Sequence, residues 1–263
     1  MPQRTDTAVQ TVPAHRDTDA RTATEVTQAT RATPTHATES GGSAVTAERN
    51  YCGYREIVRN SFKQWYKDNR DSWSGTTTND RVTHFAIAAA PTDETAPGAG
   101  PARVLDIGCG RGLQTASLAE WLEADVTGLD LLDVWDTPEV EHGTIRFHQG
   151  DFLSFRAHGL DLLVDNGCLH HQRREDWAAW VEHGRTMLRP GGVWVVSVFL
   201  SPDGQITPHP LADGRLNWWL TEELVVELYE SCGFRSTGRL EIDRHFEYEG
   251  HRLKYLTLSF AAL

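Results

Sequence analysis

Val104-Leu105-Asp106-Ile107-Gly108-Cys109-Gly110-Arg111-Gly112 is an apolar run that carries one acid and then turns over three alternating glycines. Glycine at a strand-to-helix turn lets the backbone bend sharply and lets a bulky ligand lie directly against it. A dinucleotide fingerprint, G-x-G-x-x-G, needs its last glycine at position 113, and this chain has Leu113 there. The spacing is instead G-x-G-x-G, led by Asp106.

Outward from that turn the chain alternates strand and helix, the pattern of a mostly parallel sheet covered on both faces. Residues 102–107 read as the first strand, 125–129 as the second, 144–148 as the third and 160–164 as the fourth. The helix after the glycines carries Leu118, Trp121 and Leu122 at i, i+3, i+4 spacing, one apolar stripe to lay on the sheet. A second helix, over 176–188, presents Trp177, Trp180 and Val181 and is stopped by Pro190-Gly191-Gly192. Residues 193–199 are β-branched and aromatic, as a central strand should be. Thr221 is a helix N-cap with Glu222 and Glu223 in the first turn, and Gly233 closes that helix. No helix separates the last two strands, 234–242 and 254–263, so they are expected to pair antiparallel.

The front of the chain differs. Residues 1–47 are rich in Thr and Ala with almost no large apolar side chain, too little to offset ordering entropy, so a disordered tail is expected. Residues 48–100 read as a helical cap segment and linker: 51–90 are helical and rich in aromatics, with Tyr54, Phe62, Trp65, Tyr66, Trp73 and Phe85, and a Pro/Gly link over 91–101 follows. The remaining domain is expected over 101–263. A net charge of −12 argues against a nucleic-acid partner, and no apolar run approaches a membrane span. Cys52, Cys109, Cys168 and Cys232 lie far apart without a C-x-x-C pair, which fits a reducing, cytoplasmic setting.

The glycine turn and its Asp resemble the first motif of the class I methyltransferases that use S-adenosylmethionine. The resemblance implies a Rossmann-like α/β fold: a mostly parallel seven-stranded sheet with helices on both faces and its last strand antiparallel. It implies S-adenosylmethionine as cofactor, with Gly108 and Gly110 against its methionyl and ribose portion and Asp106 orienting the loop and the ammonium. A carboxylate for the ribose hydroxyls belongs about twenty residues on, at the end of the neighbouring strand, where Asp130 stands, with Leu131 beside it for the adenine. Gln149-Gly150-Asp151-Phe152 resembles the acidic adenine-binding turn, Asp151 accepting from the exocyclic amine and Phe152 covering the ring.

The stretch from Val164 to His171 holds Asn166 and Gly167 at the end of the fourth strand, and resembles the motif that passes under the transferable methyl group. It lacks the Asn/Asp-Pro-Pro-aromatic signature of nucleic-acid amino-methyltransferases. His171 and His170 are the candidate bases, since imidazole titrates near neutrality. Adjacent histidines point apart, so no metal is expected. Residues 201–219, with Trp218 and Trp219, and the cap are the candidate substrate-recognition regions, and Arg173, Arg174 and Arg215 are candidate receivers of an acidic substrate. The expected activity is methyl transfer to a small-molecule nucleophile, oxygen or nitrogen favoured, in secondary metabolism. The rival readings are a peptide or protein methyltransferase, a cofactor-binding protein with another role, and a nicotinamide oxidoreductase, which Leu113 opposes. Acceptor, pathway and oligomeric state stay open.

Overall fold

A computed structural model describes residues 51–71, 73–91, 100–136, 138–248 and 250–263 of the chain. The expected tail over 1–47, and most of the link over 91–101, lie outside the described residues. The apolar runs read from the sequence form the strands of one sheet: β1 (Arg103–Ile107), β2 (Asp125–Asp130), β3 (Thr144–Gln149), β4 (Leu160–Asn166), β5 (Leu188–Leu200), β8 (Phe234–Tyr248) and β9 (His251–Ala262). Their order is β3-β2-β1-β4-β5-β9-β8. All neighbours run parallel as far as β5, and β9 is antiparallel to both β5 and β8.

Alternation along each strand splits the core into two layers. Val104, Val126, Leu162, Val164 and Val195 pack with Leu118 and Ala119 of α3 (Leu113–Leu122) and Ala86 of α2 (Thr77–Ala89). Leu105, Ile107, Leu163, Trp194 and Val196 face the other way, against α4 (Trp177–Met187) and α5 (Glu222–Ser231). Gly184 makes room for this second layer, because a Cβ there would stand 2.1 Å from Cζ3 of Trp194. Thr221 caps α5 as expected, its side chain accepting from the Leu224 N–H at 3.3 Å.

Four local readings are corrected. Trp121 is 69% exposed, so α3 turns Thr115, Leu118 and Ala119 inward instead, and the wide indole stays in water. The Pro-Gly-Gly stretch does not precede β5 but lies within it, bulged between the Leu160–Leu188 and Leu162–Val193 pairs. Residues 51–90 form two helices, α1 (Tyr51–Lys67) and α2, broken where Asn69 takes a left-handed φ of 52° and Thr76 caps α2. Residues 201–219, to which the sequence assigned no element, contain β6 (Thr207–Pro210) and β7 (Leu216–Trp219), paired as a small hairpin.

Parallel register brings the carboxyl ends of β1, β2 and β4 level: Ile107 pairs with Leu129 on one side and with Asp165 on the other. Strand order reverses between β1 and β4, the place where open α/β sheets hold ligands. Among the described residues, no helix is long and apolar enough to cross a membrane.

Candidate active site

The turn after β1 is shaped by three left-handed glycines, Gly108, Gly110 and Gly112, with φ of 71°, 53° and 81°. Gly108 and Cys109 both donate their N–H groups to the Leu129 carbonyl, at 2.7 and 3.1 Å, which ties the turn to the end of β2. A Cβ on Gly108 would stand 2.2 Å from the Cys168 sulfur, and one on Gly110 would stand 2.6 Å from the Tyr66 hydroxyl. The backbone therefore comes closer to the loop after β4 and to α1 than any side chain would permit. Gly112 is the N-cap of α3 and has no side-chain oxygen to offer, so the first N–H groups of that helix point out of the turn.

Asp106 is buried beneath this turn. Its oxygens accept from Thr115 Oγ1 at 2.6 Å and from Gln114 Nε2 at 2.7 Å, and burial raises its carboxyl to about 6. Gln114 in turn accepts from Asn166 Nδ2 at 2.9 Å and from Thr83 at 3.2 Å. Asp106 thus orients the loop through the first turn of α3, with both oxygens already engaged. Gln114 and Thr115 had only the helix periodicity to mark them, and the sequence reading missed both.

Asp130 closes β2 as expected. One oxygen accepts from the Gly110 N–H and the other from the Leu132 N–H, each at 2.9 Å. Burial holds its carboxyl above the ordinary range. Each oxygen keeps a further lone pair, the acceptor capacity that a vicinal diol needs. Leu131 beside it is half-buried.

Asp151 follows β3 and takes hydrogen bonds from the Tyr51 hydroxyl and, at 3.1 Å, from Ser154. Arg55 stands 3.9 Å away, so the first turn of α1 sits directly on this acid. Phe152 turns into the core, with ring centroids 4.4 Å from Trp180 and 6.0 Å from Trp194. It forms part of the floor under the sheet rather than a cover for a ring.

Beyond β4, Asn166 is bound to Gln114, and Gly167 takes a φ of 103°. The loop is pinned by Asp165, which sequence reasoning passed over. This buried acid accepts from Cys168 N at 2.6 Å, from Leu169 N at 3.4 Å and from Trp180 Nε1 at 3.1 Å, and burial raises its carboxyl to about 6.

The two histidines occupy different settings in the short turn Leu169–His171. His171 Nδ1 lies 3.1 Å from the Leu216 carbonyl and its Nε2 lies 3.1 Å from Arg215 Nη1. Arg215 Nη1 lies 3.2 Å from Nδ1 as well; because a carbonyl only accepts, the Leu216 contact puts the proton on Nδ1 and leaves Nε2 to accept from the guanidinium. Tyr54 of α1 donates to the His171 carbonyl at 2.7 Å and accepts from Leu216 N at 3.0 Å. His170 is stacked on Phe199, centroids 3.8 Å apart. Burial, with Arg215 nearby, holds both imidazoles well below their ordinary range. Arg215, one of the three candidate receivers of an acidic substrate, is buried across the rings of Phe62 and Trp65, 4.3 and 5.4 Å from its Cζ. Desolvation lowers it to about 10.

The arrangement fits S-adenosylmethionine. A turn stripped of Cβ atoms, an uncapped helix start, and two acids level at the ends of β2 and β3 answer the needs of its amino-acid, ribose and adenine parts.

Comparison with known proteins agrees. Residues 104–192 match the methyltransferase domain family. The chain is 34% identical over 133 residues to a trans-aconitate 2-methyltransferase of Deinococcus radiodurans, covering 46% of each protein. It is 32% identical over 108 residues to an uncharacterised methyltransferase of Mycobacterium tuberculosis, covering 38% of this chain and 51% of that one. The chain spans about half the length of these curated relatives. Among solved structures, the Burkholderia thailandensis 1,6-didemethyltoxoflavin-N1-methyltransferase, with S-adenosylhomocysteine bound, is 26% identical. It aligns over 81% of this chain and 90% of its own length, with a TM-score of 0.67. The [4+2]-cyclase SpnF aligns over 70% of this chain and 80% of its own length at 16% identity and a TM-score of 0.54, a likeness of fold alone.

Proposed function

We infer that this chain, a class I S-adenosylmethionine-dependent methyltransferase by its fold and its matched domain, transfers a methyl group to a small-molecule nucleophile, oxygen or nitrogen. The observation that carries the reading is Asp130, a half-buried acid held by the Gly110 N–H at the end of β2, beside the switch point of the sheet, with acceptor capacity to spare. The small-molecule acceptor draws support from the 1,6-didemethyltoxoflavin-N1-methyltransferase, which aligns over most of both chains and holds a small molecule, 1,6-didemethyltoxoflavin.

When bound, the cofactor supplies a methyl group already activated on a sulfonium. The protein's task is then to align the nucleophile, exclude water and receive a proton. Asp106 and Gln114 fix the glycine turn, and Asp165 fixes the loop after β4. Helix α1 closes the carboxyl end of the sheet through Tyr51 on Asp151 and Tyr54 on His171.

A thermal-shift comparison of S-adenosylmethionine, S-adenosylhomocysteine and NAD tests the cofactor half. A ligand at a hundred times its dissociation constant adds about 2.7 kcal/mol, so the two sulfur compounds should raise the midpoint and NAD should not. Mass analysis of products from an acceptor screen tests the transfer. A cofactor-dependent shift with no methylated product from small or peptide acceptors would point to a non-transferring role.

A further inference from the structure

Two side chains beside the loop after β4 carry hydrogen-bonding capacity that the protein leaves unused. His170 is 1% exposed, and its Nδ1 has no partner among the described residues. A buried polar atom left in that state destabilises the fold. Its ring lies against Gly167, where an added Cβ would stand 3.3 Å from Cε1. Arg215 is 3% exposed. Its Nε donates to Ser61 at 2.8 Å and its Nη1 serves His171 and Asn217. Its Nη2 donates to nothing among the described residues, and no carboxylate there stands within ion-pair distance of it. Asp213 accepts from the Ser61 hydroxyl at 2.6 Å and from the backbone N–H of Arg215 at 3.1 Å, and its charge favours the guanidinium from beyond ion-pair distance. A buried guanidinium without a paired anion is costly to keep.

The unused acceptor and the unused donor belong to one unit. The His171 ring is 4.3 Å from the His170 ring, and Arg215 Nη1 is 3.1 Å from His171 Nε2. A single ligand that offers both an anionic oxygen and an O–H or N–H would satisfy both vacancies. A neutral ligand would leave the cation unpaired.

We propose that the acceptor is a small acid, whose carboxylate pairs with Nη2 of Arg215 and whose O–H or N–H nucleophile hydrogen-bonds to Nδ1 of His170 and gives it its proton. This rests on the methyltransferase reading and names the substrate class for that site. In the proton transfer the O–H or N–H bond breaks, its electron pair stays on the nucleophile, and the proton bonds to the Nδ1 lone pair. Without the acid, an imidazolium at His170 is opposed by burial, by His171 and Arg244, and by the charge of Arg215. With the acid bound, its carboxylate cancels that charge and His170 becomes a stronger base. His171, with both nitrogens engaged, is a positioning residue between the two.

Calorimetry on the full chain saturated with S-adenosylhomocysteine tests this, with salicylate and anthranilate against salicylamide, anthranilamide and benzoate. The acids should bind about ten- to a hundredfold tighter than their amides. Arg215→Gln should abolish that preference while S-adenosylhomocysteine still binds, and Arg215→Lys should keep part of it. His170→Phe should bring salicylate down to the affinity of benzoate. Amides that bind as well as acids, an Arg215→Gln chain that still prefers acids, or no binding by any probe overturns the proposal and leaves the cofactor reading intact. Failure of S-adenosylhomocysteine itself to bind overturns the methyltransferase reading. If Arg215→Gln does not fold, the acid–amide ratio on the unaltered chain and on Arg215→Lys decides.

Discussion

Asp106, buried near the end of β1, and Asp130, half-buried at the end of neighbouring β2, do different work because of what surrounds them. Asp106 spends its oxygens on Thr115 and Gln114, so it shapes protein. Asp130 spends one lone pair per oxygen on backbone N–H groups and keeps the rest, so it can hold ligand. Asp130→Ala should weaken S-adenosylhomocysteine binding by about 1–3 kcal/mol, measured by calorimetry; unchanged affinity would remove Asp130 from the site. These acids and the glycines were legible in the sequence because strand ends and left-handed turns leave a local signature. Arg215 was not legible as buried. Its partner Ser61 lies 154 residues away, and no local pattern announces a pairing at that distance. The direction of Phe152 was hidden for a similar reason: whether a residue after a strand faces cleft or core depends on which layer of the sheet it enters.

At the scale of elements, β1 to β4 were legible to within two residues, because they alternate with helices in apolar runs, whereas β5 begins five residues earlier and β8 runs six residues further than the sequence marked. The misreadings fall where periodicity admits two answers. On α3, Trp121 shares the stripe of Leu118 but lies at its margin, and the small Ala119 and Thr115 allow the helix to sit closer to the sheet than an indole would. The β6–β7 hairpin has Pro208 and Pro210 in one of its four-residue strands, a composition that reads as loop. Between α4 and β5 the fit depends on Gly184, which lies against the face of Trp194. Gly184→Ala, although it favours helix locally, should cost about 1–3 kcal/mol through overpacking, read from urea unfolding. A gain in stability would mean that Trp194 has room to shift.

The whole molecule answers to acid through two opposed groups of buried charges. His170 and His171 are held well below the ordinary imidazole range, while the unfolded chain titrates them near 6.5. Below about 6.5 the unfolded state binds protons that the folded state refuses, so stability falls as pH falls. Asp106 and Asp165 have folded values of about 6 against a reference of 3.8. Across that window the folded state keeps protons that the unfolded state releases, so each adds stability as pH falls from about 6 towards 3.8. Asp165→Asn removes one such contribution, and between those limits its unfolding free energy should drop with acid by about 1.4 kcal/mol per pH unit more steeply than in the unaltered chain. Urea unfolding at several pH values reads the slope, and equal slopes would show that Asp165 is ionised throughout. The strand order has a consequence for a chain made from its amino end. Strand β9 lies between β5 and β8, so β8 leaves the ribosome before the only strand that joins it to the sheet. During that interval the growing protein carries two unclaimed strand borders, one on β5 and one on β8, each able to capture a stranger. The hazard ends when β9 arrives between them, and chaperone dependence during synthesis should concentrate in the last stretch of translation that precedes it.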